Sequence, residues 1–184
     1  KETVLGAPEI HVSDNGSGFP LAEARSLFSF LGGSWKAEKR VSPKYQRQLH
    51  GAEGKGRFKA FTLGRTVTWS VTYREGASLK SFTIEATSDN IQFFTVSAEK
   101  PSQSSDTGVE ITIGELHHRF KLLDLQYTAR ALSPLFALYL ADYPDISVTI
   151  GNLKLDPQPL ISARTKYDLV SIKSEEGAYS ASLE

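Results

Sequence analysis

The chain has 184 residues, a formal net charge of zero from 21 basic and 21 acidic side chains, and 40% hydrophobic residues. These values are typical of a globular protein with a proper core, and the charge balance argues against a protein that mainly coats nucleic acid or anionic membrane. Cysteine is absent, which excludes disulfides, thiolate metal sites and cysteine nucleophiles within this chain.

The sequence also carries information about its cellular context. It contains no run of about 18 apolar residues, and the residues after Lys1 do not resemble a signal peptide. We therefore expect a soluble cytoplasmic protein without a membrane partner. Methionine is absent as well, so we expect a fragment whose biological N-terminus lies upstream of Lys1.

The first third of the chain predicts a strand and a helix on either side of a glycine turn. Apolar alternation over residues 9–13 predicts the strand, and the Asp-Asn-Gly-Ser-Gly sequence of residues 14–18 ends it. Apolar residues at helical spacing over residues 20–31 predict a helix, which a glycine pair ends. The polar and basic residues 34–56 predict a loop with at most one short helix.

The middle of the chain changes to a period of two. Strands are predicted at residues 66–73, 81–86, 91–97 and 109–113, with a polar loop at 100–108. The short links between these strands predict an antiparallel meander with one apolar face.

The end of the chain predicts a helix and a hairpin. Residues 116–140 predict a long helix that is bent or broken near Pro134, and residues 146–155 predict a hairpin around Gly151 and Asn152. The fold class predicted is α+β, a two-layer sandwich with a mostly antiparallel sheet. We place one domain at residues 1–115 and a helix-plus-hairpin extension at 116–184.

Asp14 and the glycines after it are the first candidate site. A carboxylate at a strand end, partly shielded from water, can accept a hydrogen bond from the exocyclic amine of adenine. Gly16 and Gly18 would let the backbone approach a base and sugar without a Cβ in the way. A plain turn between strand and helix is the alternative explanation of the same residues.

A second candidate site lies in the glycine-rich segment that follows. The backbone N–H groups of Gly54, Lys55 and Gly56 can form an anion nest for phosphates. Lys36, Lys55 and Lys59 are candidates to add positive charge there. A flexible loop with solvated lysines is the alternative.

The order of these features resembles the GHKL (Bergerat-fold) ATPase superfamily over roughly residues 8–113. The features are Asp14-x-Gly16-x-Gly18 behind a strand, Gly32-Gly33-Ser34-Trp35-Lys36 after a helix, Gly51-x-x-Gly54-x-Gly56, and the antiparallel strands. The glycine spacing looks closer to the branch that contains gyrase, MutL, the heat-shock chaperones and MORC proteins than to histidine kinases.

This resemblance implies an ATP-binding domain that takes ATP with Mg2+. Nucleotide would order a lid at residues 34–56 and drive homodimerisation or a change in a protein client that the sequence does not identify. The implied nucleotide-binding residues are Asp14, Asn15, Gly16, Gly18, Gly33, Ser34, Lys36, Gly51, Gly54, Lys55 and Gly56.

The sequence departs from the family in two places. Family members carry a magnesium-binding Asn and a water-activating Glu on a helix before the first strand, and the thirteen residues before Asp14 predict no such helix. We therefore assign no catalytic residue. Family members also place Thr after a Gly on the late strand, whereas Gly108 here is followed by Val109 and preceded by Thr107.

Other functions remain open at this stage. A non-hydrolysing nucleotide-binding, scaffold or regulatory module fits the same residues without the missing helix. A nucleic-acid regulator would use the basic residues 36–47, although such a run is usually a solvated face and nucleic acid is not otherwise indicated. No metal site is predicted: His11 is interpreted as a surface residue, and the adjacent His117 and His118 would point apart on a helix.

Overall fold

A computed structural model of the chain describes residues 8–29, 56–118, 121–163, 165–174, 177–179 and 182–183. The chain forms two compact units, Lys1–Arg119 and Phe120–Glu184. The described residues form an α+β fold with a mostly antiparallel sheet, as predicted.

The first unit contains the main sheet. Its described elements in chain order are β1 (Ile10–Asp14), α1 (Leu21–Ser29), α2 (Gly56–Lys59), β2 (Gly64–Glu75), β3 (Ser78–Thr87), β4 (Thr95–Val96), β5 (Lys100–Pro101) and β6 (Gly108–Leu116). Short 3-10 turns follow α2 and β3, at Ala60–Thr62 and Ser88–Asn90. The strands predicted at 9–13, 66–73, 81–86 and 109–113 are confirmed, and α1 confirms the described part of the predicted helix.

The strand order differs from the predicted meander. The sheet runs β1-β6-β2-β3-β4, so the last strand in sequence lies between the first two. β6 is antiparallel to both neighbours, and the row of directly paired residues Val12, Ile111 and Trp69 crosses all three strands. Strands that are consecutive in sequence often pair with each other, but not always. The observed order gives the apolar β6 a hydrogen-bonded partner on each side.

The edge strand is also displaced from its prediction. The strand predicted at 91–97 starts only at Thr95, and the predicted loop 100–108 begins inside the sheet, because Lys100 and Pro101 pair with β3. Between β4 and β5 the Ser97 backbone N–H donates to the Thr83 carbonyl at 2.9 Å. β4 and β5 are therefore two pieces of one irregular edge strand. Polar residues can form this edge because the hydrogen bonds that pair it with β3 come from backbone groups.

Only one face of the sheet is apolar. Val67, Trp69, Val71 and Tyr73 of β2 are buried, while the alternate residues from Thr66 to Arg74 are half-buried or exposed. α1 packs on the buried face, where the Phe28 ring meets Trp69 edge-on with 5.1 Å between centroids. Burial of each such large side chain stabilises the fold by about 1.5–3 kcal/mol.

The second unit begins with a longer helix. α3 (Leu125–Asp142) starts at Asp124, whose carboxylate accepts a hydrogen bond from the Tyr127 N–H at 3.0 Å. The prediction that the helix begins at residue 116 is wrong, because Leu116 is still paired with Gly64 in the sheet. A 3-10 turn at Lys121–Leu123 precedes the N-cap.

Pro134 does not break α3, which runs through it. Proline removes one helix hydrogen bond, to the carbonyl four residues earlier, and a helix with buried contacts beyond that point can bear the loss. Ala137 and Leu140, both buried, lie on the later turns and supply those contacts. Within the described residues no helix is long and apolar enough to cross a membrane.

Short paired strands follow α3. The predicted hairpin is confirmed but shorter, with Gly151 at φ 59 in its turn. Further strand pairs, which the sequence does not predict, form after this hairpin. The strands are β7 (Thr149–Ile150), β8 (Leu153–Lys154), β9 (Tyr167–Asp168), β10 (Ile172–Ser174), β11 (Gly177–Tyr179) and β12 (Ser182–Leu183), paired as β7-β8, β9-β12 and β10-β11. A 3-10 turn lies at Gln158–Leu160.

Candidate functional site

Asp14 lies at the end of the edge strand β1, on the helix-covered face of the sheet. It pairs with Val109, which pairs with Val71, which in turn pairs with Phe82. Directly paired residues share a face, so the carboxylate belongs to the same side as the buried Val71 and Phe82. The strand register therefore aims Asp14 at the layer between sheet and helices, although its position at the strand end leaves it exposed.

The two carboxylate oxygens of Asp14 have different surroundings. Oδ1 accepts a hydrogen bond from the Gly16 N–H at 2.8 Å, which closes a small turn of the kind that Asp favours. Among the described residues Oδ2 has no hydrogen-bond partner. One oxygen thus stabilises the turn and the other is available to a donor from a ligand. The prediction that the fold partly shields Asp14 from water is wrong for the described residues, because β1 ends at Asp14 and leaves it exposed.

Gly18 and Gly108 are required by the fold itself, whereas Gly16 closely approaches only a side-chain atom. A Cβ at Gly16 would lie 2.7 Å from Asp14 Oδ1, and one at Gly18 would lie 2.2 Å from the Thr72 carbonyl oxygen. Gly18 also has φ +61, and a Cβ at Gly108 would lie 2.0 Å from the Asp14 carbonyl oxygen. Close backbone packing therefore explains Gly18 and Gly108 without a ligand.

Thr107 and Gly108 complete the site from the start of β6. The Thr107 hydroxyl donates to the Gly16 carbonyl oxygen at 2.6 Å, across 91 positions of sequence. Residues 102–107 connect the β5 end to the β6 start, and Thr72 of β2 pairs with Gly108 at the same end of the sheet. In the sequence Thr107 stands out only as a threonine displaced from a family position, and nothing there predicts its contact with Gly16.

Phe19 anchors the turn on the side of the core. It follows Gly18 directly, and its ring meets Phe82 edge-on at 5.8 Å and Phe28 at 6.4 Å. Because Phe82 is 1% exposed and stands in the same row as Asp14, the chain leaves the turn straight into the best-packed part of the unit.

The other predicted site residues divide into two groups. Asn15 is exposed in the turn, Gly56 is the exposed first residue of α2, with open space where its Cβ would be, and Lys59 is the exposed last residue of α2. The remaining residues lie outside the described part of the chain, as does the predicted lid apart from Gly56. They are Gly33, Ser34, Lys36, Gly51, Gly54 and Lys55.

Glu9 and His11 lie on the face of the sheet opposite to Asp14. His11 Nε2 is 3.3 Å from Glu9 Oε2, its Nδ1 is 3.4 Å from Glu110 Oε1, and the Thr112 hydroxyl is 3.2 Å from Nδ1. His11 pairs with Thr112, and Thr112 with Thr68, along the row that α1 does not cover. The prediction of a surface histidine is confirmed, and Glu9 is turned away from the candidate site.

His117 has a structural partner. Its Nε2 lies 3.0 Å from the Phe61 carbonyl oxygen, and its ring centroid is 6.3 Å from that of His118. Both residues lie in a bend after β6, so the prediction that they stand on a helix is wrong. No group of three His, Cys, Asp or Glu in the described ranges is arranged to hold a metal ion.

Neither a protein-family model nor a curated protein matches this chain. Its candidate site therefore has to be interpreted from the Asp14 turn and its neighbours alone.

Proposed function

We propose that the first unit binds ATP at the Asp14 turn, as the nucleotide-binding domain of a GHKL-type ATPase with a two-layer sandwich fold. One observation carries the proposal. Asp14 stands on the helix-covered face with Oδ1 engaged by Gly16 and Oδ2 unpaired among the described residues. A fixed carboxylate with one available oxygen is a directional acceptor for a single N–H donor.

The chemistry favours adenine over guanine. Adenine presents an exocyclic amine, which donates to Oδ2, where guanine presents a carbonyl oxygen that would face the carboxylate acceptor to acceptor. Discrimination of this kind is strong where the bound base shields the carboxylate from water, because the mismatched pair then leaves both groups without a partner. Asn15, Gly16 and Gly18 form the rest of the turn beside that oxygen.

The phosphate side of the proposal remains a prediction from the sequence. It assigns phosphate contacts to Gly33, Ser34, Lys36 and the segment from Gly51 to Gly56, with Mg2+ as the counter-ion of the phosphates. Ordering of this lid by nucleotide would drive homodimerisation or act on a protein client.

A non-hydrolysing nucleotide-binding module is the second candidate, and one observation favours it. Glu9 lies on the opposite face from Asp14 and contacts His11 there. It is thus not placed to activate a water at a nucleotide bound by Asp14, because a general base must be within hydrogen-bond reach of the proton it removes.

Asp14→Asn tests ATP binding at this turn. The amide oxygen can still accept from the Gly16 N–H, but the amide nitrogen replaces Oδ2 and presents a donor to the amine of adenine. We expect ATP affinity to fall by about 1–3 kcal/mol and the preference for ATP over GTP to shrink, both measured by titration calorimetry with magnesium.

Asp156→Asn is the matched control. Asp156 Oδ1 accepts from the Gln158 N–H at 3.0 Å, in the same two-residue geometry but in the second unit. This variant should bind ATP like the parent. Equal affinity of the Asp14 variant and the parent would remove Asp14 from the nucleotide site, and a parent that binds no ATP would refute the proposed function.

A further inference from the structure

We infer that Thr107 is a positioning residue that holds the Asp14 turn in the conformation able to bind nucleotide. The inference rests on the proposed function. Thr107 is the last residue before β6, half-buried, and its hydroxyl donates to the Gly16 carbonyl oxygen at 2.6 Å. It touches the turn from a segment far away in sequence, so it couples the end of β1 to the start of β6.

Gly16 is the part of the turn that most needs to be held. Glycine has the widest choice of backbone conformations. Here its N–H donates to Asp14 Oδ1 at 2.8 Å and its carbonyl accepts from Thr107. The two bonds fix the Gly16 backbone from opposite ends. The Gly16 N–H occupies Oδ1 of Asp14. The orientation of this N–H therefore decides that Oδ2 is the oxygen left for a ligand.

The backbone of Thr107 is itself held in place by its neighbour. Gly108 is buried, pairs with Thr72, and approaches the Asp14 carbonyl so closely that a Cβ would lie 2.0 Å from that oxygen. The packing of the main chain at Gly108 and at Asp14 therefore does not involve the Thr107 hydroxyl. Removal of the hydroxyl alone tests the bond to Gly16 and leaves this packing intact.

The matched set of variants separates the hydroxyl from the side-chain volume. Thr107→Val keeps the shape and removes the donor, whereas Thr107→Ser keeps the donor. Thr112→Val is the control, because Thr112 is a β6 threonine whose hydroxyl contacts His11 on the opposite face of the sheet. All variants are made in the 184-residue chain, and thermal unfolding checks that each one folds.

Two measurements are made on each variant. The first is hydrogen exchange of the Gly16 amide without nucleotide, which reports whether the turn is held. The second is the affinity for ATP with magnesium. We expect Thr107→Val to raise the Gly16 exchange rate and the dissociation constant for ATP, each by about three- to tenfold, the range of one lost hydrogen bond. Thr107→Ser and Thr112→Val should match the parent.

The outcomes distinguish this inference from the proposed function. A parent that binds ATP, with Thr107→Val unchanged in both measurements, overturns the positioning role and leaves the ATP proposal standing. A parent that binds no ATP overturns both. Faster Gly16 exchange with unchanged ATP affinity shows a purely structural bond and also overturns the inference. If Thr107→Val does not fold, Thr107→Ala removes the same hydroxyl and is judged by the same criteria.

Discussion

Single residues at the Asp14 turn show how closely three stretches of backbone meet. Gly18 has a positive φ and lies against the Thr72 carbonyl, while Gly76, in the turn between β2 and β3, has nearly the same φ and open space around it. Both glycines thus adopt a left-handed backbone conformation, and only Gly18 also lacks space for a side chain. This pair separates the cost of the left-handed conformation from the cost of a clash.

We expect Gly76→Ala to lower the free energy of unfolding by about 1–2 kcal/mol, the usual penalty for alanine at positive φ. Gly18→Ala should cost about 1–3 kcal/mol more, because its Cβ would overlap the Thr72 carbonyl and force the turn to move. Urea unfolding of both variants measures the difference. Equal losses would mean that the turn shifts freely, which would contradict its close packing on β2.

At the scale of elements, an ion-pair network attaches the β4–β5 edge to the rest of the sheet. Glu99 lies between β4 and β5 and contacts both the Tyr73 hydroxyl of β2 and the Lys80 ammonium of β3, the latter at 2.7 Å. Lys80 also contacts Glu75. Two hydrogen bonds lower the pKa of the Glu99 carboxyl, the one from Lys80 having the larger effect and the one from Tyr73 the smaller. The hydrogen bond to Glu99 raises the pKa of Tyr73.

The direction of the Glu99 shift determines what this carboxyl contributes to the pH dependence of stability. A carboxyl whose pKa is lower in the folded chain adds stability above its unfolded value, near 4.5, and loses it as pH falls through the lower folded value. We expect Glu99→Gln to flatten the acid side of the stability curve, measured by urea unfolding from about pH 7 to about pH 3. Glu85→Gln, on the other face of β3, is the control; an unchanged slope for Glu99→Gln would contradict the network.

At the scale of the whole molecule, the sheet separates two chemistries by its faces. Asp14 belongs to the helix-covered face, whereas Glu9, His11 and Glu110 gather on the open one. The strand alternation therefore keeps Asp14, the proposed acceptor for adenine, and the Glu9 carboxylate on opposite sides of β1. Under the proposed function, this separation favours binding of nucleotide over its hydrolysis in the described residues.

We therefore expect the chain to release phosphate from ATP at close to the background rate, because Glu9 and His11 lie on the face of the sheet opposite to Asp14. Phosphate release with magnesium is compared between the parent and Glu9→Gln, which should not differ. Rapid turnover by the parent that Glu9→Gln abolishes would show that Glu9 acts on the substrate and that the face assignment is wrong.

Local sequence determined which residues form the main elements. Period-two alternation identified β2, β3 and β6, and the Asp-Asn-Gly-Ser-Gly turn after β1 was predicted from residue types alone, because side-chain spacing and turn chemistry act over a few neighbouring residues. The break considered at Pro134 does not occur, and local sequence could not show this for the same reason. A local rule describes the hydrogen bond that proline removes, but not the buried contacts of Ala137 and Leu140 that hold α3 together beyond it.

The tertiary structure alone decided what meets at the Asp14 turn. Insertion of β6 between β1 and β2 brings Thr107 to Gly16 and Gly108 to the Asp14 carbonyl, and it pairs Val109 with Asp14. The edge position of β1 likewise decided that Asp14 is exposed. These contacts depend on which strands pair, and pairing is set by burial of the apolar rows across the whole sheet, a property that no short stretch of sequence carries.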